Sequence, residues 1–220
     1  MSKRGDLMDK VSVIIRNKNE GAYIGFAIQS CLDYFNKPEI IIVDNGSTDD
    51  SLEIVNLFKD RTSISVISID DYTPGKSINK GVKAATHPTI LVLSAHAQIT
   101  AVDLEDVNKQ LQNYVAVFGQ QNPVYRGKKI SKRYVWSHFK DEDQVNLFSS
   151  IEKRPFLHNA FCFYKKSTLI QHPMPEQYPG KEDRFWARDM INHGNNYLYS
   201  PIHKANHFYT ERGATWKGIG

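Results

Sequence analysis

Short apolar runs alternate with amphipathic stretches through the first hundred residues, and no other feature constrains the fold as much. Val11-Ser12-Val13-Ile14-Ile15 is a β-branched run that reads as a buried strand. Glu20 to Tyr34 carries Ile24, Ala27, Ile28, Cys31 and Leu32 at helical spacing. Ile40 to Val43 is a second strand, and Ser51 to Lys59 a helix with Leu52, Ile54, Val55 and Phe58 as its apolar set. Ile64 to Ile69, Gly75 to Ala85 and Thr89 to Leu93 continue as strand, helix and strand. This order predicts an α/β fold, a Rossmann-like and mostly parallel sheet with helices on both faces. Its crossovers should be right-handed. Ligands of such sheets bind outside the carboxyl ends of the strands. Four polar segments follow strands and should therefore converge on one rim. They are Arg16 to Glu20, Asp44 to Ser47, Asp70 to Tyr72 and Ser94 to Gln98.

The second half is less regular. Asp103 to Tyr114 reads as a helix and Val115 to Gly119 as a strand. Gln120 to Pro155 is a polar, basic and aromatic excursion with a helix expected over Gln144 to Ser150. Ala160 to Tyr164 reads as a strand, Lys181 to His193 as a helix closed by Gly194, and Asn196 to Tyr199 as a last strand. No linker, repeat or low-complexity tract interrupts the 220 residues, so 1–220 reads as one domain. Residues 1–10 are expected to be a flexible N-terminus, and 208–220 a flap over the site.

Composition excludes several classes of function. Lys plus Arg number 28 and Asp plus Glu 24, a net charge of +4. That is too little for an obligate nucleic-acid partner, but it suits an anion bound in one place. Cys31 and Cys162 lie far apart among apolar neighbours, as buried free thiols do, so a reducing compartment is expected. The first ten residues hold no apolar signal region, and no apolar run approaches the roughly 18 residues of a membrane span. A cytoplasmic protein is expected. The basic, aromatic stretch from Arg126 to Trp136 could touch the inner face of a membrane or an anionic glycan.

Val11 to Glu20 is similar to the first strand and loop of the family 2 glycosyltransferases of the GT-A fold, and Ile41-Ile42-Val43-Asp44-Asn45-Gly46-Ser47-Thr48-Asp49 resembles their second-strand motif. The resemblance covers most of the chain. It implies a single GT-A domain and an inverting transferase. Such an enzyme would move a sugar from a nucleotide-diphosphate sugar to a glycan or glycoconjugate hydroxyl, in surface polysaccharide synthesis. Asp44 would then meet the base or ribose, with Arg16, Asn17, Asn19 and Glu20 beside it. The plain reading of Asp44 to Asp50 is a turn and a helix cap. Pro74 to Gly81 resembles the family's donor-contacting segment. It offers Lys76 and Asn79, with Lys76 at a helix N-terminus that favours anions. Alternatively, Pro74-Gly75 simply starts a helix and Lys76 is solvated.

The departure from the family pattern is Ser94-Ala95-His96, where Asp-x-Asp usually holds a divalent metal. Imidazole suits manganese, iron or zinc better than magnesium. Asn206-His207-Phe208-Tyr209 resembles the family's late His motif, so His96 and His207 form the candidate metal pair, with manganese preferred. The competing reading has His96 bind phosphate with no metal. Glu182-Asp183-Arg184-Phe185-Trp186 looks like the Glu-Asp-x-x-Trp segment of inverting members. Asp183 is the candidate base and Glu182 the second choice. Acids at a helix start are also favourable on dipole grounds alone. Gln121, Asn159, Arg184 and Trp186 are the acceptor-side candidates, with His158 weaker; Asn159 could equally cap local backbone and Trp186 could equally be core. Two other functions compete. One is a nucleotide-sugar binding or partner module whose metal ligands have decayed. The other is a nucleotidyltransferase, which the single glycine of Arg16 to Gly21 disfavours.

Overall fold

The computed structural model describes residues 10–129, 134–178 and 180–211. The N-terminus to residue 9 and the proposed flap from residue 212, with Arg212, Gly213, Trp216 and Lys217, lie outside the described residues. So do Lys132 and Arg133 of the basic stretch. The chain runs β1 (Val11–Asn17), α1 (Gly21–Tyr34), β2 (Glu39–Asp44), α2 (Ser51–Asn56), β3 (Ile64–Ser68), α3 (Pro74–Ala84) and β4 (Thr89–Ser94). It continues through β5 (Ala97–Ala101), α4 (Leu104–Gln110), β6 (Ala116–Tyr125) and β7 (Lys128–Lys129) to a 3-10 turn at Tyr134–His138. Then come β8 (Gln144–Val145), β9 (Phe148–Ser149), β10 (Arg154–Pro155), β11 (Phe161–Lys165), α5 (Lys166–Gln171), α6 (Glu182–Asn192) and β12 (Leu198–Phe208).

One sheet runs in the order β3-β2-β1-β4-β11-β6-β12-β5, with β7 on β6 and β8 on β12. Strands β3, β2, β1 and β4 are mutually parallel, as are β6 and β12. β11 runs antiparallel to β4 and β6, and β5 antiparallel to β12. The mixed α/β architecture with a mostly parallel core is therefore the expected one. The β1 side chains alternate between two apolar cores. Val11, Val13 and Ile15 pack with Ile24, Ala27 and Ile28 of α1, Val55 of α2 and Val107 of α4. Ile14 packs on the other face with Ile78 and Val82 of α3, Leu169 of α5 and Trp186, Ala187 and Met190 of α6. Cys31 and Cys162 are buried free thiols, one in each core. Among the described residues no helix is long and apolar enough to cross a membrane.

Several expected elements differ. The helix over Gln144 to Ser150 is replaced by β8, a turn and β9. Asn146 sits at φ 52, which breaks helical geometry, and its side chain bonds Tyr197 N and Asn196 Oδ1 instead. β5 was not expected at all. β6 extends to Tyr125 and β12 to Phe208, well past the predicted strand ends at Gly119 and Tyr199. Phe208 thus closes a strand rather than opening a flap. The second helix ends at Asn56 rather than Lys59. Gly194 lies at φ 75 just beyond α6 and donates its N–H to Ile191 O, the expected cap.

Candidate active site

The strand ends do converge. Asn17, at the end of β1, is buried and donates through Nδ2 to Asp44 Oδ1 (2.8 Å), Ser47 Oγ (3.0 Å) and Ser51 Oγ (3.2 Å). The Asp44 carboxylate also accepts from Ser47 N (3.0 Å) and Ser47 Oγ (2.6 Å). Asn19, at φ 55, clasps the same turn by donating its backbone N–H to Ser47 Oγ and accepting from Thr48 N. Asp44, Asn17 and Asn19 therefore brace one loop, and the turn reading of Asp44 to Asp50 holds locally. Gly46 reverses the chain there at φ 63.

The β4 end carries Ser94 and His96. His96 Nδ1 lies 3.0 Å from Glu20 Oε1, and Nε2 lies 3.1 Å from Ser94 Oγ. A carboxylate only accepts, so Nδ1 carries a proton, and in the neutral ring the lone pair is then on Nε2. His207 comes from β12, its ring 5.0 Å from that of His96 and 5.9 Å from that of His158. Its Nδ1 lies 2.9 Å from Gln121 Oε1, which likewise sets the lone pair on Nε2. Burial, then the neighbouring His96 and His158, hold His207 neutral by pushing its pKa well down. Two imidazoles, each handing one ring N–H to an oxygen and so leaving the other ring nitrogen for a cation, are arranged as metal-ligating histidines are. The donor set thus fits a transition metal. Glu20 touches His96, but among the described residues no third His, Cys, Asp or Glu brings a ligand atom within 4.8 Å of both histidines in one mutually close group.

Both acids of α6 are buried at its first turn. Arg16 Nη1 lies 3.3 Å from Glu182 Oε1, which ties α6 to the β1 rim. Burial would lower the Arg16 pKa, but Tyr72, Glu182 and Asp183 outweigh it and keep the guanidinium charged. Burial, then Asp183, raise the Glu182 pKa, with Arg16 opposing. Glu182 Oε2 is buried with no hydrogen-bond partner among the described residues. Asp183 accepts from Asn159 N (3.1 Å), Arg184 N (2.8 Å) and Arg184 Nη1 (3.2 Å). Three donors on roughly four lone-pair sites leave its carboxylate one further acceptor position. Asn159 also donates to Glu182 Oε1 at 3.4 Å and accepts from Tyr164.

Other candidates stand elsewhere. Lys76 is at the N-terminus of α3, ion-paired to Asp71, in a helix capped by Thr73 Oγ1. Asn79 is spent inside the protein on Met174 O, Met174 N and Glu176 Oε1. Trp186 is 1 % exposed, edge-on to Tyr164 at 5.2 Å and bonded to His172 O; it is core and offers no face to a sugar. Sequence reasoning missed Glu152. It accepts from Tyr134 (2.6 Å) and Arg154 (2.9 Å) and pairs with Arg184 Nε at 2.7 Å. Burial raises its pKa, but Tyr134 and Arg184 outweigh this and bring it down to about 2. Glu152 thereby anchors the guanidinium that contacts Asp183. Nothing local marks it, since its partners are brought together only by the tertiary fold.

A family model described as Glycosyl transferase family 2 matches residues 12–172. The chain is 27 % identical over 207 residues to the GalNAc(5)-diNAcBac-PP-undecaprenol beta-1,3-glucosyltransferase of Campylobacter jejuni, covering 92 % of this chain and 65 % of that protein. It is 26 % identical over 219 residues to the O-antigen chain rhamnosyltransferase RfbN of Salmonella typhimurium, covering 92 % of this chain and 68 % of that protein. The fold matches S. aureus TarS 1-349 in complex with UDP-GlcNAc at a TM-score of 0.70 and 19 % identity, covering 96 % of this chain and 62 % of that one. The chain thus spans about two thirds of the length of these relatives.

Proposed function

Because the chain belongs to glycosyl transferase family 2, we propose that it transfers a sugar from a nucleotide-diphosphate sugar to a glycan or glycoconjugate hydroxyl, with inversion, in surface polysaccharide synthesis. The observation that supports this most is the meeting of two buried carboxylates of α6 with the carboxyl-end rim of β1, through Arg16 and Glu182. The braced loop from Asp44 to Ser47 is the nucleotide side, and Lys76 supplies positive charge at the α3 N-terminus. Arg16 and Asn19 line the same rim. Asp183 takes the proton of the acceptor hydroxyl as its oxygen attacks the anomeric carbon. The sugar–diphosphate bond breaks, and its electron pair leaves on the diphosphate oxygen. Glu182, whose pKa is raised, is the second choice of base. Gln121, Asn159 and Arg184 are the acceptor-side groups.

In this reading Ser94-Ala95-His96 marks a subgroup in which His96 and His207 hold a manganese-class cation. That cation would neutralise charge on the departing diphosphate. A uridine donor is the first to try, because the TarS structure in this fold carries UDP-GlcNAc. The Campylobacter relative is named for an acceptor on PP-undecaprenol. A cytoplasmic site against the inner membrane face, in one catalytic domain, is consistent with that. Incubation with a panel of nucleotide sugars, with and without manganese, tests the reading. Release of nucleoside diphosphate from one donor supports it. Binding without release from any donor, even with extended acceptor glycans present, favours the decayed binding module that the lost Asp-x-Asp suggests.

A further inference from the structure

We propose that His172, Asp189 and His193 form a second, zinc-class metal site that clips the end of α5 to the end of α6. One ligand atom from each residue lies within 4.8 Å of the other two, and no other such group of three occurs among the described residues. Asp189 and His193 stand four residues apart and share one helix face. His172 caps α5 and brings its ring to 5.1 Å from that of His193.

Two features prepare the cluster for a cation. His193 Nδ1 lies 2.8 Å from the carbonyl oxygen of Asp189. A carbonyl accepts, so the proton is on Nδ1 and the lone pair on Nε2, as in ligating histidines whose other ring N–H is held by backbone. The stems also stand on fixed backbone. His172 N donates to Thr168 O at 2.7 Å, and His172 O accepts from the buried Trp186 indole at 2.7 Å. That second bond locks the α5 end against α6. An exposed Asp189–His193 ion pair, 3.6 Å apart, would explain two of the residues at little gain in stability, but it leaves His172 unexplained.

Two nitrogens and one oxygen select a borderline transition metal over calcium or magnesium. Three protein ligands with water in the fourth position make an ordinary zinc set. Metal–ligand bonds of about 2.0–2.1 Å require the ligand atoms to close by roughly 1 Å. Asp189 and His193 are exposed, so rotamer motion supplies this. The site lies at the opposite end of α6 from Glu182 and Asp183. Zinc therefore acts on how firmly α6 is docked and does not enter the transfer step.

Calorimetric titration of zinc alone into the full chain tests this, repeated on His172→Ala, His193→Ala and the double variant. The wild type should bind one equivalent that each single change weakens by about tenfold or more. The double variant should lose that equivalent, and the zinc-dependent rise in melting temperature with it. Zinc held by His96 and His207 would survive in the double variant and so is told apart. Circular dichroism and zinc-free donor turnover should be unchanged in all three variants, which separates site loss from misfolding. No zinc binding by the wild type, or equal stoichiometry and affinity in the double variant, would overturn the site.

Discussion

Asp183 and Glu182 are neighbours held in different ways. Asp183 accepts from three donors, whereas Glu182 keeps one buried oxygen without a hydrogen-bond partner among the described residues. Asp183 is positioned through Arg184, which is in turn held by Glu152. Glu152→Gln should therefore lower turnover while leaving nucleoside diphosphate affinity unchanged. It should also cost about 2 kcal/mol of stability, as loss of a charged acceptor from a part-buried network does. Steady-state kinetics beside a urea melt would read both effects. If turnover stayed normal in a destabilised protein, Glu152 would be purely structural. The pair Glu182-Asp183 was legible because two acids open a helix beside Arg and Trp. Glu152 was not, because it lies in a stretch whose composition suggests only a polar excursion.

Among the elements, the regular βαβ half was readable because β-branched runs and helical spacing coincide there. β12 was readable only at its start. Along it His203, Ala205 and His207 are buried while Ile202 is 56 % exposed. The alternation has period two, but its polarity is inverted, and hydropathy overlooks such a strand. That inversion carries His207 to His96. β6 makes it possible, because Gly119 lets the register of β12 shift between Ser200 and Lys204. A Cβ at Gly119 would lie 2.5 Å from His203 O and 2.6 Å from the Phe161 ring. Gly119→Ala should cost about 2 kcal/mol or more, since both neighbours are packed core. It should also weaken any manganese effect on donor affinity by displacing β12. A thermal melt with a manganese titration checks this, and a wild-type melt would show that the strands tolerate the clash.

The molecule as a whole buries several histidines. Burial, then the nearby Arg184, push His158 down to about 4, and burial lowers His207, His138 and His203 as well. These groups are neutral when folded, yet they take up a proton near pH 6.5 once unfolded. The unfolded state then binds more protons, so stability is intact above about pH 6.5 and falls as pH drops toward 4. His158 alone should contribute a slope of up to about 1.4 kcal/mol per pH unit in that window. His158→Gln should remove that share of the slope and leave the part due to the other buried histidines. Glu152 adds a separate loss below about pH 4.5, where its unfolded carboxylate begins to protonate while the folded one stays ionised to about 2. Urea melts from pH 7.5 to 2 would resolve the two windows; a flat profile between pH 6.5 and 4 would contradict the buried neutral histidines.

All of this geometry bears on one claim, that a carboxylate of α6 does the chemistry at a nucleotide-sugar site on the sheet rim. Asp183→Asn removes the proposed base and keeps one acceptor oxygen, which can serve either Asn159 N or the Arg184 donors but not both. The most direct measurement is donor turnover by this variant, with the dissociation constant for the matching nucleoside diphosphate taken on the same sample. Turnover should fall by about 10²- to 10⁴-fold, as for loss of a general base, with nucleotide affinity nearly unchanged. Turnover close to wild type at equal affinity would contradict the assignment.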